Sequence, residues 1–168
     1  MFPFRKKFHL IIVCTANRTR SAYLAGYLNH YLAQYRPGAL KRIKITSAGI
    51  KAAGRERVND VVALIARKNG FNLRSHTAKS LSNGPVKSAD LILVMEQMHK
   101  EYILEKYPAV KEKVFRLMEY GYRGDEGDDL FDVPDPTGKT TADFKTFIET
   151  AHVEADRLVH EFVQQGII

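Results

Sequence analysis

The chain's only cysteine stands where an apolar run meets a helix-like segment, and this junction constrains the fold more than any other feature. The run Phe8–Val13 leads into Cys14, five residues separate Cys14 from Arg20, and apolar residues then recur at helical spacing over Ser21–Tyr35. This pattern predicts a strand, a short loop and a helix. Such a loop directs successive backbone N–H groups and the positive helix end at one point, which predicts a site for a phosphate-like anion.

The same electrostatic field makes Cys14 a candidate nucleophile, because a positive helix end favours the reactive thiolate over the thiol. Arg20 lies at the helix start, where its planar guanidinium can bind two oxygens of a phosphoryl group. Asn17 tolerates the unusual backbone conformation that such a loop needs, and Ser21 can hydrogen-bond the sulfur. The alternative interpretation of Cys14 is a buried structural cysteine at the end of a strand.

Length and composition limit the other possibilities. The 168 residues contain no segment rich in Pro, Gly or Ser, which predicts one domain over residues 1–168. The first apolar run is too short for a signal peptide or a membrane span, so we expect a soluble, cytoplasmic protein that does not act at a membrane. A lone cysteine forms no internal disulfide, CxxC motif or thiolate zinc cluster, and redox and zinc chemistry therefore lose their main support.

The net charge of +7 is unevenly distributed along the chain. An acidic segment, 125–129, contrasts with basic clusters at Arg5-Lys6-Lys7, Lys41-Arg42 with Lys44, and Lys51, Arg55 and Arg57. We interpret most of these charges as a solvated surface without a specific partner. Because no zinc-finger or RNA-binding signature accompanies them, we expect no specific nucleic-acid partner.

Strand-like and helix-like segments alternate, which predicts an α/β fold with a parallel sheet covered on both faces. Strands are expected at Phe8–Val13, Ile43–Thr46, Leu91–Met95 and Val114–Leu117. Helices are expected at Ser21–Tyr35, Arg57–Lys68, Lys79–Ser82, Gln97–Lys106 and Ala142–Gln165. Ligands of such sheets bind beyond the carboxyl ends of the strands. Ser47 and Glu96 follow the second and third strands, so we expect Ser47 to reach the loop and Glu96 to cap a helix.

Five segments, in order along nearly the whole chain, resemble the low-molecular-weight protein tyrosine phosphatase family: Val13–Ser21, Thr46–Gly49, Ser75–Lys79, Asp90–Met95 and Pro134–Pro136. The resemblance implies a four-stranded parallel sheet flanked by helices on both faces, with a phosphate loop between the first strand and the first helix. Between Cys14 and Arg20, the loop would bind phosphate through Thr15, Ala16, Asn17, Arg18 and Thr19. The resemblance also implies a hydrogen-bond network that holds the loop open, formed by Asn17, Ser21, Ser47 and His76.

Phosphate-ester hydrolysis also needs a positioned acid, because the leaving oxygen must be protonated. Asp135 is the candidate, since the prolines on either side stiffen the backbone around it, and Asp132 is the runner-up. The resemblance implies that Cys14 takes the phosphoryl group and that water, activated by Asp135, then hydrolyses the intermediate. No metal or other cofactor is required. We expect the five other acids of segment 125–132 to raise the proton affinity of Asp135.

The chain departs from the family pattern at the walls of the pocket, where Arg18 replaces an aliphatic residue and Thr137-Gly138 replaces two tyrosines. A branch of the family hydrolyses phosphoarginine. A cation at position 18 repels a guanidinium and attracts acidic groups, which favours phosphotyrosine or another aryl phosphate on a protein. Thr19 stands where the family usually has a second cysteine, so oxidation of Cys14 is expected to be less recoverable.

Two other activities fit the same loop. Arsenate reductases share the fold, and without further cysteines only a form that uses an external thiol is possible here. A non-catalytic module that binds inorganic phosphate or other oxyanions is the second alternative. The sequence does not indicate an oligomeric state.

Overall fold

The computed structural model describes residues 6–124 and 128–168, which form a central parallel sheet with helices on both faces. The strands lie in the order β2-β1-β3-β4, and every neighbouring pair is parallel. Their bounds are β1 Phe8–Cys14, β2 Ile43–Gly49, β3 Leu91–Val94 and β4 Val114–Arg116. The predicted four-stranded sheet is confirmed, and Ser47 lies inside the second strand rather than after it.

The described residues include five α-helices, of which the first four connect the strands and the last follows β4: α1 Arg20–Tyr35, α2 Asp60–Lys68, α3 Asn83–Ser88, α4 Gln97–Lys106 and α5 Thr141–Gln164. Short 3-10 helices cover Pro37–Lys41, Pro108–Lys113 and Asp128–Phe131. None of the helices in this part of the chain combines the length and the apolar composition that crossing a membrane requires.

Two helices differ from the sequence-based prediction by more than one residue. The helix expected at Lys79–Ser82 is wrong, because Ser80 forms a parallel bridge with Gly49 and the helix begins only after Ser82. The helix expected from Arg57 begins at Asp60. Asn59 caps it by accepting hydrogen bonds from the backbone N–H groups of the first turn, which a residue inside the helix could not do.

The side chains of β1 alternate between two separate cores, as expected for a strand covered on both faces. Leu10 and Ile12 pack into the larger core with α1, α2 and α5, whereas Ile11 and Val13 pack into the smaller core with α3 and α4. Helix α5 contributes a buried apolar stripe to the larger core, including Phe147, Ala151, Ala155, Leu158 and Phe162. Packing on both faces of the sheet therefore fixes the position of β1.

Gly49 ends β2 beside Cys14 and leaves room for the loop that follows β1. A Cβ atom at Gly49 would lie 2.6 Å from the carbonyl oxygen of Thr15 and 2.9 Å from the backbone nitrogen of Asn17. Beyond Gly49, the N–H of Ile50 donates to the Cys14 carbonyl, and that of Lys51 donates to the Thr15 carbonyl. The loop thus rests on a strand end that only glycine allows.

Replacing Gly49 by alanine is expected to destabilise the fold by about 1–3 kcal/mol, because the added methyl group meets backbone atoms that cannot move without distorting the loop. The matched control is Gly84→Ala in α3, where nothing lies within 4 Å of the added Cβ, and this change is expected to be neutral or slightly stabilising. Urea unfolding of both variants measures these changes in the free energy of unfolding. Equal unfolding midpoints for the two variants would contradict it.

Candidate active site

Asn17 organises the loop between β1 and α1. It is fully buried and has a positive φ of 57°, a conformation in which asparagine is tolerated better than most residues. Its amide nitrogen donates to the hydroxyl oxygens of Ser21 and Ser47, both at 2.9 Å, and its amide oxygen accepts from the backbone N–H of Lys79. Its carbonyl oxygen lies 2.8 Å from Nε2 of His76. The four residues of the expected network are therefore in contact.

The buried thiol of Cys14 lies at the end of this network. Its Sγ is 3.0 Å from the hydroxyl oxygen of Ser21. Because that oxygen already accepts from Asn17, the Ser21 hydroxyl can donate its own proton, either to the sulfur or, at the longer distance of 3.4 Å, to the carbonyl oxygen of Ala48. A donated hydrogen bond stabilises a thiolate more than a thiol, so this arrangement suits a sulfur that must attack and later leave.

The guanidinium of Arg20 is buried, with only 1% of the side chain exposed. Its Nη1 donates to Oε2 of Glu96 at 2.6 Å and to the carbonyl oxygen of Val133 at 2.8 Å, and its Nη2 donates to Oδ2 of Asp135 at 3.0 Å. The remaining nitrogen, Nε, is buried without a hydrogen-bond partner in the described part of the chain. Leaving a buried donor unpaired costs free energy, and an anion in the loop that accepted a hydrogen bond from Nε would recover that cost.

Glu96 does more than the helix cap expected of it. Its side chain accepts from the backbone of the first turn of α4, and the same carboxylate pairs with Arg20. His99, in the first turn of α4, completes this capping box, because its Nδ1 accepts from the backbone N–H of Glu96 at 3.1 Å. Its Nε2 lies 2.8 Å from Oγ1 of Thr15.

Sequence reasoning missed His99, and its place just after the third strand was the only signal. It is completely buried, and its pKa is lowered to about 4 by burial and by the nearby charge of Arg20, against the opposing effect of three carboxylates, Glu96, Asp132 and Asp135. The ring is therefore neutral at ordinary pH.

Of the two candidate acids, only Asp135 contacts Arg20. Its Oδ2 accepts from Arg20, and its Oδ1 accepts from the backbone N–H of Thr137 at 2.9 Å. Burial alone raises the pKa of Asp135, but these two contacts outweigh it and hold the pKa below its ordinary value. Asp132 instead accepts from the backbone N–H of Gln97 and from Arg116, so it anchors the segment to α4 and β4.

Two loop residues that depart from the family pattern make contacts of their own. Arg18 donates to the carbonyl oxygen of Arg57 at 2.9 Å and lies 3.4 Å from Oε1 of Glu56, so its charge is partly balanced. Oγ1 of Thr19 lies 3.0 Å from Oγ1 of Thr137, which links the phosphate loop to the segment that carries Asp135. Ala16 lies over the end of β2, beside Gly49.

One further expectation concerns the acidic segment away from the loop, and two histidines of α5 have hydrogen-bond partners of their own. Residues 125–127 and the side chains of the two aspartates that follow lie outside the described residues, so the effect of the acidic segment on Asp135 stays a prediction. His152 lies 2.8 Å from the hydroxyl oxygen of Tyr23, and His160 lies 3.0 Å from the amide of Gln164. No cluster of three or more metal-ligating side chains occurs in the described ranges.

Comparison with known proteins agrees with this geometry. The sequence model of a family described as low molecular weight phosphotyrosine protein phosphatase matches residues 9–166. The chain belongs to this family. The probable low molecular weight protein-tyrosine-phosphatase EpsP of Ralstonia nicotianae is 30% identical to it over 140 residues, which cover 83% of this chain and 86% of EpsP.

Other members of the family differ in the activity given by their names. A protein-arginine-phosphatase of Bacillus subtilis is 34% identical to this chain over 131 residues, 77% of this chain and 79% of that protein. The crystal structure of a low molecular weight protein tyrosine phosphatase from T. tengcongensis is similar with a TM-score of 0.79 and 28% identity. That match covers 92% of this chain and 99% of the other.

Two substitutions of Asn17 are expected to separate its side-chain contacts from its backbone conformation. Asn17→Gly keeps the positive φ but leaves the N–H of Lys79 without its acceptor, at a cost of about 1–3 kcal/mol. Asn17→Ala adds the strain of a left-handed conformation, about 1–2 kcal/mol more. Urea unfolding measures both values. Equal stability of the two variants would show that the backbone conformation at Asn17 is not a constraint.

Proposed function

We propose that this protein is a cysteine-dependent phosphatase that hydrolyses phosphotyrosine-type aryl phosphomonoesters on proteins. The observation that carries the proposal is the environment of Arg20, whose buried guanidinium pairs with Asp135 and keeps Nε unpaired beside the Cys14 loop. A nucleophile, an anion clamp and an acid thus converge on one loop. The proposal treats residues 1–168 as a single domain in the cytoplasm, where reducing conditions preserve a free cysteine.

In the first step, the thiolate of Cys14 attacks phosphorus and forms a P–S bond while the P–O bond to the leaving group breaks. Asp135 transfers its proton to the leaving oxygen, so the alcohol departs neutral. Arg20 and the loop N–H groups stabilise the charge on the three equatorial oxygens, which accept hydrogen bonds throughout.

In the second step, the carboxylate of Asp135 takes a proton from water as the water oxygen attacks phosphorus. The P–S bond breaks, inorganic phosphate forms, and the electron pair returns to the sulfur of Cys14. The hydroxyl of Ser21, 3.0 Å from that sulfur, stabilises the departing thiolate. Asp135 is again protonated, ready for the next cycle.

Phosphoarginine on proteins is the second candidate substrate, and one observation favours it. The case against it was repulsion between Arg18 and a guanidinium, but Glu56 lies against Arg18 and offsets part of that charge. The similar protein-arginine-phosphatase of Bacillus subtilis points the same way. The aryl phosphate remains our proposal, and a direct comparison of the two substrates decides between them.

Removing the nucleophile and the acid is expected to separate their roles. Cys14→Ser should abolish turnover of p-nitrophenyl phosphate, a phosphotyrosine peptide and a phosphoarginine peptide. Asp135→Asn should lower kcat/KM, which reports the first step, by about 10²–10³-fold on the peptides and by less on p-nitrophenyl phosphate, whose leaving group needs little protonation. Asp132→Asn is the matched control, because Asp132 does not contact Arg20, and it should retain most of the activity.

Full activity of Cys14→Ser would overturn the mechanism. A wild-type protein that binds phosphate but hydrolyses none of the three substrates would favour a binding module, and arsenate reduction with an added thiol would favour the reductase. A higher kcat/KM for the phosphoarginine peptide than for the phosphotyrosine peptide would replace our substrate class by the second candidate.

Binding of a dianion is expected to draw a proton onto Asp135. In the free protein, the N–H of Thr137 and the guanidinium of Arg20 hold the pKa of Asp135 low. An anion in the loop competes for Arg20 and adds negative charge, and both changes raise the pKa of Asp135. Between the two pKa values the complex therefore holds more protons than the free protein, so affinity rises as the pH falls.

Sulfate is the probe, because it stays a dianion at pH 5, and Cys14→Ser removes any contribution of the thiol. Calorimetric titration of Cys14→Ser in buffers of different ionisation enthalpy should detect proton uptake, which should vanish in Cys14→Ser/Asp135→Asn. Equal proton uptake by the two variants would contradict the linkage.

A further inference from the structure

The phosphate loop has a side-chain contact that the mechanism above does not use. Thr15 directly follows Cys14, and its Oγ1 lies 2.8 Å from Nε2 of the buried ring of His99. The other ring nitrogen, Nδ1, accepts a hydrogen bond from the backbone N–H of Glu96. A neutral imidazole carries one proton, so Nδ1 as acceptor requires the proton on Nε2. His99 therefore donates to the hydroxyl of Thr15.

The direction of this bond fixes what the Thr15 hydroxyl can do. Because its oxygen accepts from His99, its own proton is free to be donated elsewhere. Oγ1 of Thr15 makes no other hydrogen bond within residues 6–124 and 128–168. The side chain is only half-buried, so a ligand in the loop can approach it. An uncommitted donor next to the nucleophile of an anion-binding loop is suited to bind an oxygen of that anion.

We propose that His99 and Thr15 form a donor relay, in which His99 orients the Thr15 hydroxyl so that it donates to an oxygen of the bound phosphoryl group. This rests on the proposed function. Thr15 is then a catalytic residue, since it touches the substrate, and His99 is a positioning residue that acts through Thr15. A side-chain donor thereby supplements the guanidinium of Arg20 and the backbone N–H groups.

The same turn of α4 sets both side-chain donors of the site. Glu96 holds Nη1 of Arg20 at 2.6 Å, and its backbone N–H holds Nδ1 of His99. Protonation of Nδ1 would place two N–H groups against each other and break the relay. Burial and the charge of Arg20 lower the pKa of His99 and oppose that protonation, although the carboxylates Glu96, Asp132 and Asp135 favour it. The hydrogen bond that Nδ1 accepts from Glu96 and the lowered pKa of His99 thus both indicate a neutral ring.

Affinity for orthovanadate, measured by calorimetric titration, tests the relay without requiring turnover. Thr15→Val keeps the shape of the side chain but removes the hydroxyl, and should weaken binding about tenfold or more, because a hydrogen bond to a charged group is lost. Thr15→Ser should stay within about threefold of wild type. The matched control is Thr46→Val, which removes another threonine–histidine contact, 2.9 Å long, between Thr46 and His9 on β2 and β1. It should leave the affinity unchanged.

Two substitutions of His99 test the positioning role. The oxygen of His99→Asn can take the place of Nδ1 and keep the cap on Glu96, but the donor to Thr15 is lost, so affinity should fall about three- to tenfold. The amide nitrogen of His99→Gln can take the place of Nε2 and should retain more affinity than His99→Asn. In a Thr15→Val background, His99→Asn should cause no further loss, because the group it orients is absent.

Two results would overturn the relay: wild-type affinity in Thr15→Val, or an equal loss from His99→Asn with and without the Thr15 hydroxyl. If His99→Asn fails to fold, the contrast between Thr15→Val and Thr15→Ser and the affinity of His99→Gln still decide. The expected affinity pattern in a protein that hydrolyses no aryl phosphate would support the relay and refute the proposed function. The relay and the proposed function can therefore be refuted independently of each other.

Discussion

The buried guanidinium of Arg20 is the constraint on which the rest of the site depends. A cation with 1% of its surface exposed must be paired and hydrogen-bonded, because an unpaired buried charge is very costly. Its partners come from distant parts of the chain: Glu96 after β3, and Val133 and Asp135 from the segment before α5. Pairing Arg20 thus brings Asp135, the proposed acid, to the loop that begins at Cys14, the proposed nucleophile.

The loop itself must be held in place, because backbone N–H groups that converge on one anion repel one another when the anion is absent. It is fixed from two sides. Behind it, the buried amide of Asn17 joins Ser21, Ser47 and the backbone of Lys79. On the side of β3, the first turn of α4 holds both Thr15 and Arg20 through His99 and Glu96. These contacts fix the loop before any ligand arrives, so binding an anion costs little reorganisation.

Much of the fold could be predicted from the sequence because it depends on local patterns. The short apolar runs predicted all four strands, and the spacing of apolar residues predicted the long helices, with α2 shifted only by the cap at Asn59. The short helix was misplaced because the apolar residue Leu81 belongs to a segment that continues beside β2. A propensity argument cannot detect such pairing between residues far apart in the sequence.

The contacts of the site were less predictable. The positions of Cys14, Arg20 and Asp135 follow from strand ends and prolines, but the partner of a side chain depends on which residues the fold brings within 3 Å. Glu96 was therefore predicted only to cap a helix, and His99 was missed, because its place just after the third strand was the only signal. Arg18 was expected to repel a guanidinium, and the charge of Glu56 beside it was not foreseen because Glu56 lies 38 residues away.

The two carboxylates that hold Arg20 are not equivalent, and this difference decides which of them an incoming dianion displaces. Glu96 accepts at 2.6 Å, is 25% exposed, and is fixed by the capping box of α4. Asp135 accepts at 3.0 Å and is 41% exposed, so it is held less tightly and is more easily hydrated. A dianion that competes for Arg20 therefore separates Asp135 rather than Glu96. In the proposed mechanism Asp135 is also the group that must gain a proton, so losing the guanidinium would prepare it for acid catalysis at the moment when the substrate arrives.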